Sequence, residues 1–256
     1  MLGVNELKLF ASIRIKKFRD EKGLFLVEGM KQVEEGIRSR RKCELMVFRS
    51  ESFDHFDEVL ALAKRKGIRC EGVKNKEFEK LADTVHAQGI LGYFRMPERE
   101  ILDRTSTPLI YLDRITDPGN MGTIIRTADW FGFRQILLSP GCVDVYNPKV
   151  IRAAMGSNFR MAFHEGVTEL DLKGVRDSGY SIITTELEGK NLEEFRPEGK
   201  FVIVLSNESH GVLPGLASIA DLRIKIPGEK GAESLNVAVA AGIIFHKLFE
   251  TGSKNE

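Results

Sequence analysis

Cysteine is scarce in this chain: Cys43, Cys70 and Cys142 lie far apart, with no CxxC pair and no histidine at ligand spacing. A disulfide framework and a zinc site are therefore not expected, and the three residues read as reduced thiols. No run of 18 apolar residues occurs and no leader-like pattern opens the chain, so neither a membrane span nor export is expected; the expected location is cytoplasmic. There is no GxGxxG after a strand, no GxxxxGK[ST], no GxSxG and no HxE with CxxC. The five histidines, His55, His86, His164, His210 and His246, are scattered. A dinucleotide enzyme, a P-loop enzyme, a serine hydrolase and a zinc deaminase all lack their signature here, and no metal is expected.

What is present is an ordinary globular composition, 42% hydrophobic over 256 residues, enough for one large domain or two small ones. The net charge of +1 conceals an asymmetry: residues 1–49 hold 12 Lys and Arg against 7 Asp and Glu, and the remainder 26 against 30. A basic front end can attract a polyanion, although a solvated helix face has the same composition.

Residues 5–19 carry Leu7, Leu9, Phe10, Ile13 and Phe18 at mixed helical spacing with basic residues between them, which predicts an amphipathic helix. Strands are expected at Leu24 to Val27 and Glu44 to Phe48, and helices at Gly29 to Ile37 and Phe53 to Lys66. Ile68 to Val73, Glu77 to Leu81 and Ile90 to Phe94 continue the alternation, so the front of the chain reads as a small α/β unit. The polar, aperiodic stretch around Met96 to Thr107 suits a linker; the expected division is 1–97, a linker at 98–107, and 108–256. Beyond it, apolar runs at Leu109 to Leu112, Gln135 to Ser139, Ser181 to Thr185, Phe201 to Leu205 and Leu222 to Ile226 predict a buried, mostly parallel sheet. A site is expected at the carboxyl ends of its strands.

Three of those ends stand out. After the first, Asp117, Pro118, Gly119 and Asn120 form a turn and N-cap, and a helix runs from about Met121 to Gly132. Arg126 within it is either paired with Asp129 or aimed into a cleft to meet an anion. The run Phe201 to Leu205 ends in Ser206, Asn207 and Glu208, where Glu208 is either a surface acid or part of a site. The third end passes through Pro227 and Gly228 into a helix starting at Ser234, in which Asn236 is the only polar side chain before His246. Ser234 is read as the cap, with Asn236 assisting it or bound elsewhere. A helix so apolar should be buried in a core or an interface. Three such ends together favour a shared pocket.

Asn120-x-Gly122-x-x-x-Arg126, Asn207-Glu208-x-x-Gly211, and Ile226-Pro227 followed by Ser234-Leu235-Asn236-Val237 resemble, in order and spacing, the three motifs of the SpoU (TrmH-like) branch of the SPOUT RNA methyltransferases. Leu24 to Ile37 (LFLVEGMKQVEEGI) is similar to the L30e-like substrate-binding domain that precedes the catalytic domain in many members. The resemblance implies an α/β catalytic domain with a mostly parallel sheet and a deep trefoil knot, a homodimer, S-adenosylmethionine as cofactor, and methylation of a ribose 2′-hydroxyl in rRNA or tRNA. It assigns Arg126 to the developing alkoxide, Asn120 to positioning the ribose or phosphate, Glu208 to orienting Arg126 or the nucleotide, and Ser234 and Asn236 to the substrate side. It places the cofactor against Leu205, Ser206, Ile226 and Leu235, with Gly211 and Gly228 allowing close approach. RNA would be read by the front domain, through the basic stretch of residues 8–22. Ser206 stands where the family usually has glycine and Gly119 where it often has histidine, so a catalytically impaired RNA-binding member is the alternative, and a base-methylating enzyme of the same fold a further one.

Overall fold

The computed structural model describes residues 2–98, 101–105, 108–196, 198–207, 211–229 and 234–252. They fall into two compact units, one built from 1–98 and 144–160 and the other from 99–143 and 161–256.

The first unit opens with α1 (Val4–Ser12) and α2 (Lys16–Lys22) rather than one helix. The interruption follows from Arg19, which is 2% exposed and turns inward to donate to the carbonyls of Ile13 and Arg14 at 3.1 and 2.6 Å. Those acceptors are the ones a continuing helix would have used, and the buried Ile13 pins the break. There follow β1 (Leu24–Glu28), α3 (Met30–Arg38), β2 (Cys43–Arg49), α4 (Asp57–Arg65), β3 (Cys70–Val73), α5 (Asn75–Leu81) and β4 (Ile90–Arg95). The sheet order is β1-β4-β2-β3, antiparallel except for the β2–β3 pair. One face packs Leu24, Leu26, Leu45, Val47, Leu91 and Tyr93 against Phe10, Ile13, Phe78 and Leu81. On the other, Phe25 and Phe94 meet Tyr146 and Phe159, the segment that also holds α7 (Pro148–Ala154). Asp144, from that segment, accepts from the buried Arg19 at 2.5 Å.

In the second unit the chain runs β5 (Leu109–Asp113), α6 (Pro118–Trp130), β6 (Gln135–Leu138), β7 (Ala162–Glu165), α8 (Glu169–Asp177), β8 (Tyr180–Asn191), β9 (Lys200–Ser206), α9 (Pro214–Ile219), β10 (Leu222–Lys225) and α10 (Val237–Gly252). All six strands are parallel, in the order β10-β8-β9-β5-β6-β7. β5 and the interior of β9 are buried residue by residue, as strands covered on both faces must be. The sheet grows from β5 to one edge through β6 and β7, then restarts at β8 on the other side. The order therefore reverses at β5 and β9, and the crevice of such a sheet lies at the carboxyl ends of those strands. Asp113, the last residue of β5, is in register with Ser206, the last of β9.

β8 extends past the sequence expectation, continuing beyond Thr185 to Asn191. Its register with β10 jumps from Thr184↔Arg223 to Lys190↔Ile224, so one step along β10 spans six along β8 and the residues between are extruded from the ladder. Gly189 makes that crossing possible: a Cβ there would lie 2.7 Å from the carbonyl carbon of Ile224 and 2.9 Å from the carbonyl oxygen of Arg223.

Candidate active site

Asp117 caps α6, its Oδ1 accepting from the N–H of Asn120 at 2.8 Å, with Pro118 in the first turn where a missing N–H costs nothing. Asn120 is thereby fixed in the first turn through its backbone, which leaves its side chain to bond elsewhere. Its Oδ1 accepts from Asn236 Nδ2 at 3.0 Å.

Asn236, not Ser234, is the N-cap of α10. Its Oδ1 accepts from the N–H groups of Ala238 (2.9 Å) and Val239 (3.4 Å), and its carbonyl takes the first helical bond from Ala240 at 2.9 Å. Serine and asparagine are both good caps, and the backbone selects the one adjoining the first helical residue. One amide thus uses its oxygen to start α10 and its nitrogen to hold α6, which joins the ends of two motifs 116 residues apart.

Arg126 lies further along α6 with its side chain exposed. Asp129, the partner open to it on sequence grounds, bonds Arg134 at 2.7 Å. Arg126 has no hydrogen bond or ion pair among the described residues.

Beside the Asn120–Asn236 bridge lies a cavity of about 480 Å³, within the range that suits a nucleoside-sized ligand. Its apolar wall comes from Leu205 at the end of β9, Ile224 and Ile226 around the end of β10, and Leu235, Val237 and Ile244 at and in α10. Its polar groups are Ser206, Asn207, Ser234, Thr185, Glu186, Glu188 and Lys225. Ser206 Oγ is fully buried and finds no partner among the described residues, so a bound polar group can satisfy what the chain leaves open. Leu205, Ser206, Gly211, Ile226 and Leu235, which the resemblance places against the cofactor, line the cavity, and so does Ser234, which it places on the substrate side. Gly228, Asn120, Asn236 and Arg126 are not in its wall, and Glu208 lies outside the described residues.

Sequence reasoning missed the wall contributed by Thr185, Glu186, Leu187 and Glu188, the residues extruded from β8. Glu186 Oε1 accepts from Thr184 Oγ1 at 2.7 Å and stands 3.7 Å from Arg223 Nε. A signal was available, because these residues follow directly on an apolar run in a parallel sheet, where sites collect. Among the described residues no cluster of His, Cys, Asp and Glu is placed to hold a metal ion, and no helix is long and apolar enough to cross a membrane.

Residues 107–246 match the SpoU rRNA Methylase family, and residues 5–92 match the MRM3-like substrate binding domain. The chain belongs to the SpoU rRNA Methylase family. It is 32% identical over 248 residues, 95% of each chain, to the 23S rRNA (guanosine(2553)-2′-O)-methyltransferase RlmP of Bacillus subtilis. Among solved structures it resembles an RNA methyltransferase of the TrmH family from Porphyromonas gingivalis, at a TM-score of 0.83 and 29% identity, with 96% of this chain and 98% of that one covered. It also resembles the AdoMet-bound rRNA methyltransferase from Sinorhizobium meliloti, at 0.83 and 28% with 96% and 95% covered. The matched residues 107–246 include Asn120, Arg126, Asn207, Gly211, Ile226 and Asn236.

Proposed function

We propose that this SpoU-family chain methylates a ribose 2′-hydroxyl of ribosomal RNA with S-adenosylmethionine as donor. The observation that carries the reading is the cavity at the carboxyl ends of β9 and β10, with the Asn120–Asn236 bridge beside it and an unpaired arginine on the helix that Asn120 opens. The names of the similar proteins, a 23S rRNA 2′-O-methyltransferase and an AdoMet-bound rRNA methyltransferase, support it.

The cofactor supplies an activated methyl group on a sulfonium, so the residues have to align an oxygen with it, exclude water and accommodate the charge that grows on that oxygen. The apolar wall of Leu205, Ile226, Leu235 and Ile244 excludes water, and Ser206 Oγ is available to a polar group of the cofactor. Arg126 offers donors and no acceptor, so its role is electrostatic: it stabilises the developing alkoxide and grips the adjoining phosphate. Asn120, held by Asn236, positions the ribose or its phosphate, Ser234 serves the substrate side of the cavity, and Glu208 orients Arg126 or the nucleotide.

The remaining assignments belong to the same reading. Residues 1–97 read RNA through phosphate contacts; Lys8, Lys16, Lys17 and Lys22 present exposed charge for this, whereas Arg19 is withdrawn into the core. Two copies pair through the face where Val239, Ile243 and Phe249 of α10 and Trp130 of α6 remain 52%, 39%, 50% and 83% exposed in one chain. The trefoil knot is consistent with β9 entering between β8 and β5 and with α10 returning from the edge strand β10 to pack on α6.

Replacing Arg126 with Ala is expected to leave calorimetric binding of S-adenosylmethionine intact and to lower methyl transfer to rRNA by about 10²–10³-fold, the usual loss of one such stabilising group. Undiminished transfer would remove Arg126 from the mechanism. Absence of cofactor binding by the unaltered chain would favour the RNA-binding reading that Ser206 raises, and a methylated base in place of a methylated ribose would reassign the acceptor.

A further inference from the structure

We propose that Arg114, which does not line the cavity, is a positioning residue that sets the cavity's lip by tying Asn207 and Gly211 to the end of β5; the inference rests on the reading that this cavity holds S-adenosylmethionine. Arg114 has a φ of +53°, and among the described residues only one other non-glycine, Met155, has a positive φ. A non-glycine held in this conformation costs free energy locally and persists where its surroundings over-determine it.

Six bonds over-determine it here, two of them from Nε to Asp113 Oδ1 and Oδ2 at 3.1 and 3.0 Å. The Arg114 N–H donates to Ser139 Oγ at 2.8 Å, and its carbonyl accepts from Asn207 Nδ2 at 3.0 Å. Its Nη2 donates both to Asp113 Oδ2 at 2.7 Å and to the carbonyl of Gly211 at 2.9 Å. The Asp113 side chain is 2% exposed, so the pair is shielded from solvent on that side, and the Asp113 hydrogen bond holds the Arg114 guanidinium above its ordinary pKa. The Asp113 carbonyl takes the N–H of Asn207 at 3.1 Å. Asn207 and Gly211 both line the cavity. Asn207 and Gly211 therefore both hang on Asp113, the last residue of β5, and Arg114 after it, and among the described residues Arg114 supplies the one side-chain link to Gly211.

The planar guanidinium is what the arrangement requires, because it can address a carboxylate and a carbonyl in fixed directions at once, whereas a lysine ammonium is a single point charge. Gly211, at φ +59°, takes a conformation that most side chains avoid; its N–H donates to the Asn207 carbonyl at 3.1 Å, and the Arg114 bond anchors its carbonyl to the end of β5.

The test is calorimetric titration of S-adenosylmethionine into the full chain, beside steady-state kinetics and melting curves, for the unaltered protein, Arg114→Gly, Arg114→Lys and the double variant Asp113→Asn with Arg114→Gly. Glycine accepts a positive φ without strain, so Arg114→Gly removes the link and not the turn. The double variant also neutralises Asp113, whose charge would otherwise be buried alone, and it decides the matter if the single variant does not fold. Loss of one charge-assisted hydrogen bond from the lip predicts a Kd for the cofactor about tenfold higher in the glycine variants, with Lys in between. The KM for the cofactor should rise with it, while kcat at saturating cofactor stays within about twofold. A folded glycine variant that binds as tightly as the unaltered chain overturns the proposal. A fall in kcat with KM unchanged would overturn it too, by giving Arg114 a role in the chemical step. If the unaltered chain binds no cofactor, the reading of the cavity fails first and the proposal with it.

Discussion

Asn236 performs two tasks with opposite ends of one amide, and substitution can separate them. Asn236→Ala removes the cap acceptor for Ala238 and Val239 and the donor to Asn120 together. Losing an N-cap costs about 1 kcal/mol, and losing a solvent-exposed hydrogen bond about 0.5 kcal/mol. The expected total is about 1.5 kcal/mol, a fall in Tm of about 3–6 °C for a chain of this size. Asn236→Asp keeps the acceptor and places a negative charge at the positive end of α10, worth about 0.3–1 kcal/mol, while giving up the donor. It should therefore be destabilised by no more than about 0.5 kcal/mol, since the two terms oppose. A double-mutant cycle with Asn120→Ala should return a coupling of about 0.5 kcal/mol. Urea denaturation followed by circular dichroism measures the unaltered protein and the four variants. The reasoning is refuted if Asn236→Asp falls as far as Asn236→Ala, or if the cycle closes with no coupling.

Gly189→Ala forces a Cβ against the backbone of Arg223 and Ile224, which cannot swing aside, so a loss of about 1–3 kcal/mol is expected in thermal unfolding, with weaker cofactor binding because Thr185 to Glu188 form the wall; an alanine variant as stable as the parent would contradict the close crossing. Arg19→Met leaves the Asp144 carboxylate, 7% exposed, without its cation and should cost about 3–5 kcal/mol by chemical denaturation; a loss below about 1 kcal/mol would show that the pair does not hold the first unit together. Glu6 is held down to about 2, first by its hydrogen bond from Arg69 and then by the Gly3 N–H. Because its folded pKa is depressed, its contribution is present above the ordinary value of 4.5 and is lost as pH falls toward 2, so Arg69→Ala should flatten the acid limb of a stability–pH curve; identical limbs would speak against the pairing.

The central strands of the sheet were legible because a strand buried on both faces has to be an apolar run, and β5 and β9 are found where such runs predict them, while the half-exposed edge strand β10 is found at its short β-prone run. β7 was not: Ala162–Glu165 is a half-buried edge strand whose four residues include His164 and Glu165. The break between α1 and α2 was hidden for a different reason. Periodicity counts Arg19 as part of a polar face, and only the folded chain shows it inverted onto the carbonyls of Ile13 and Arg14. At the site, the residues at strand ends were legible one by one, whereas the wall from Thr185 to Glu188 arises from a register shift between β8 and β10, which is a property of the pair and not of either segment. The choice between Ser234 and Asn236 as cap was likewise beyond composition, since each has the required side chain.

The make-up of the first unit bears on how the protein is synthesised. Tyr146 and Phe159 complete its aromatic face, and Asp144 neutralises Arg19, yet all three are encoded after β5, α6 and β6. A ribosome releasing the chain from its amino end therefore exposes an unfinished sheet, with Phe25 and Phe94 uncovered, until residue 160 has emerged. Grafting residues 1–98 onto another enzyme as a cassette would leave that face permanently bare, so the portable module includes the later helix as well.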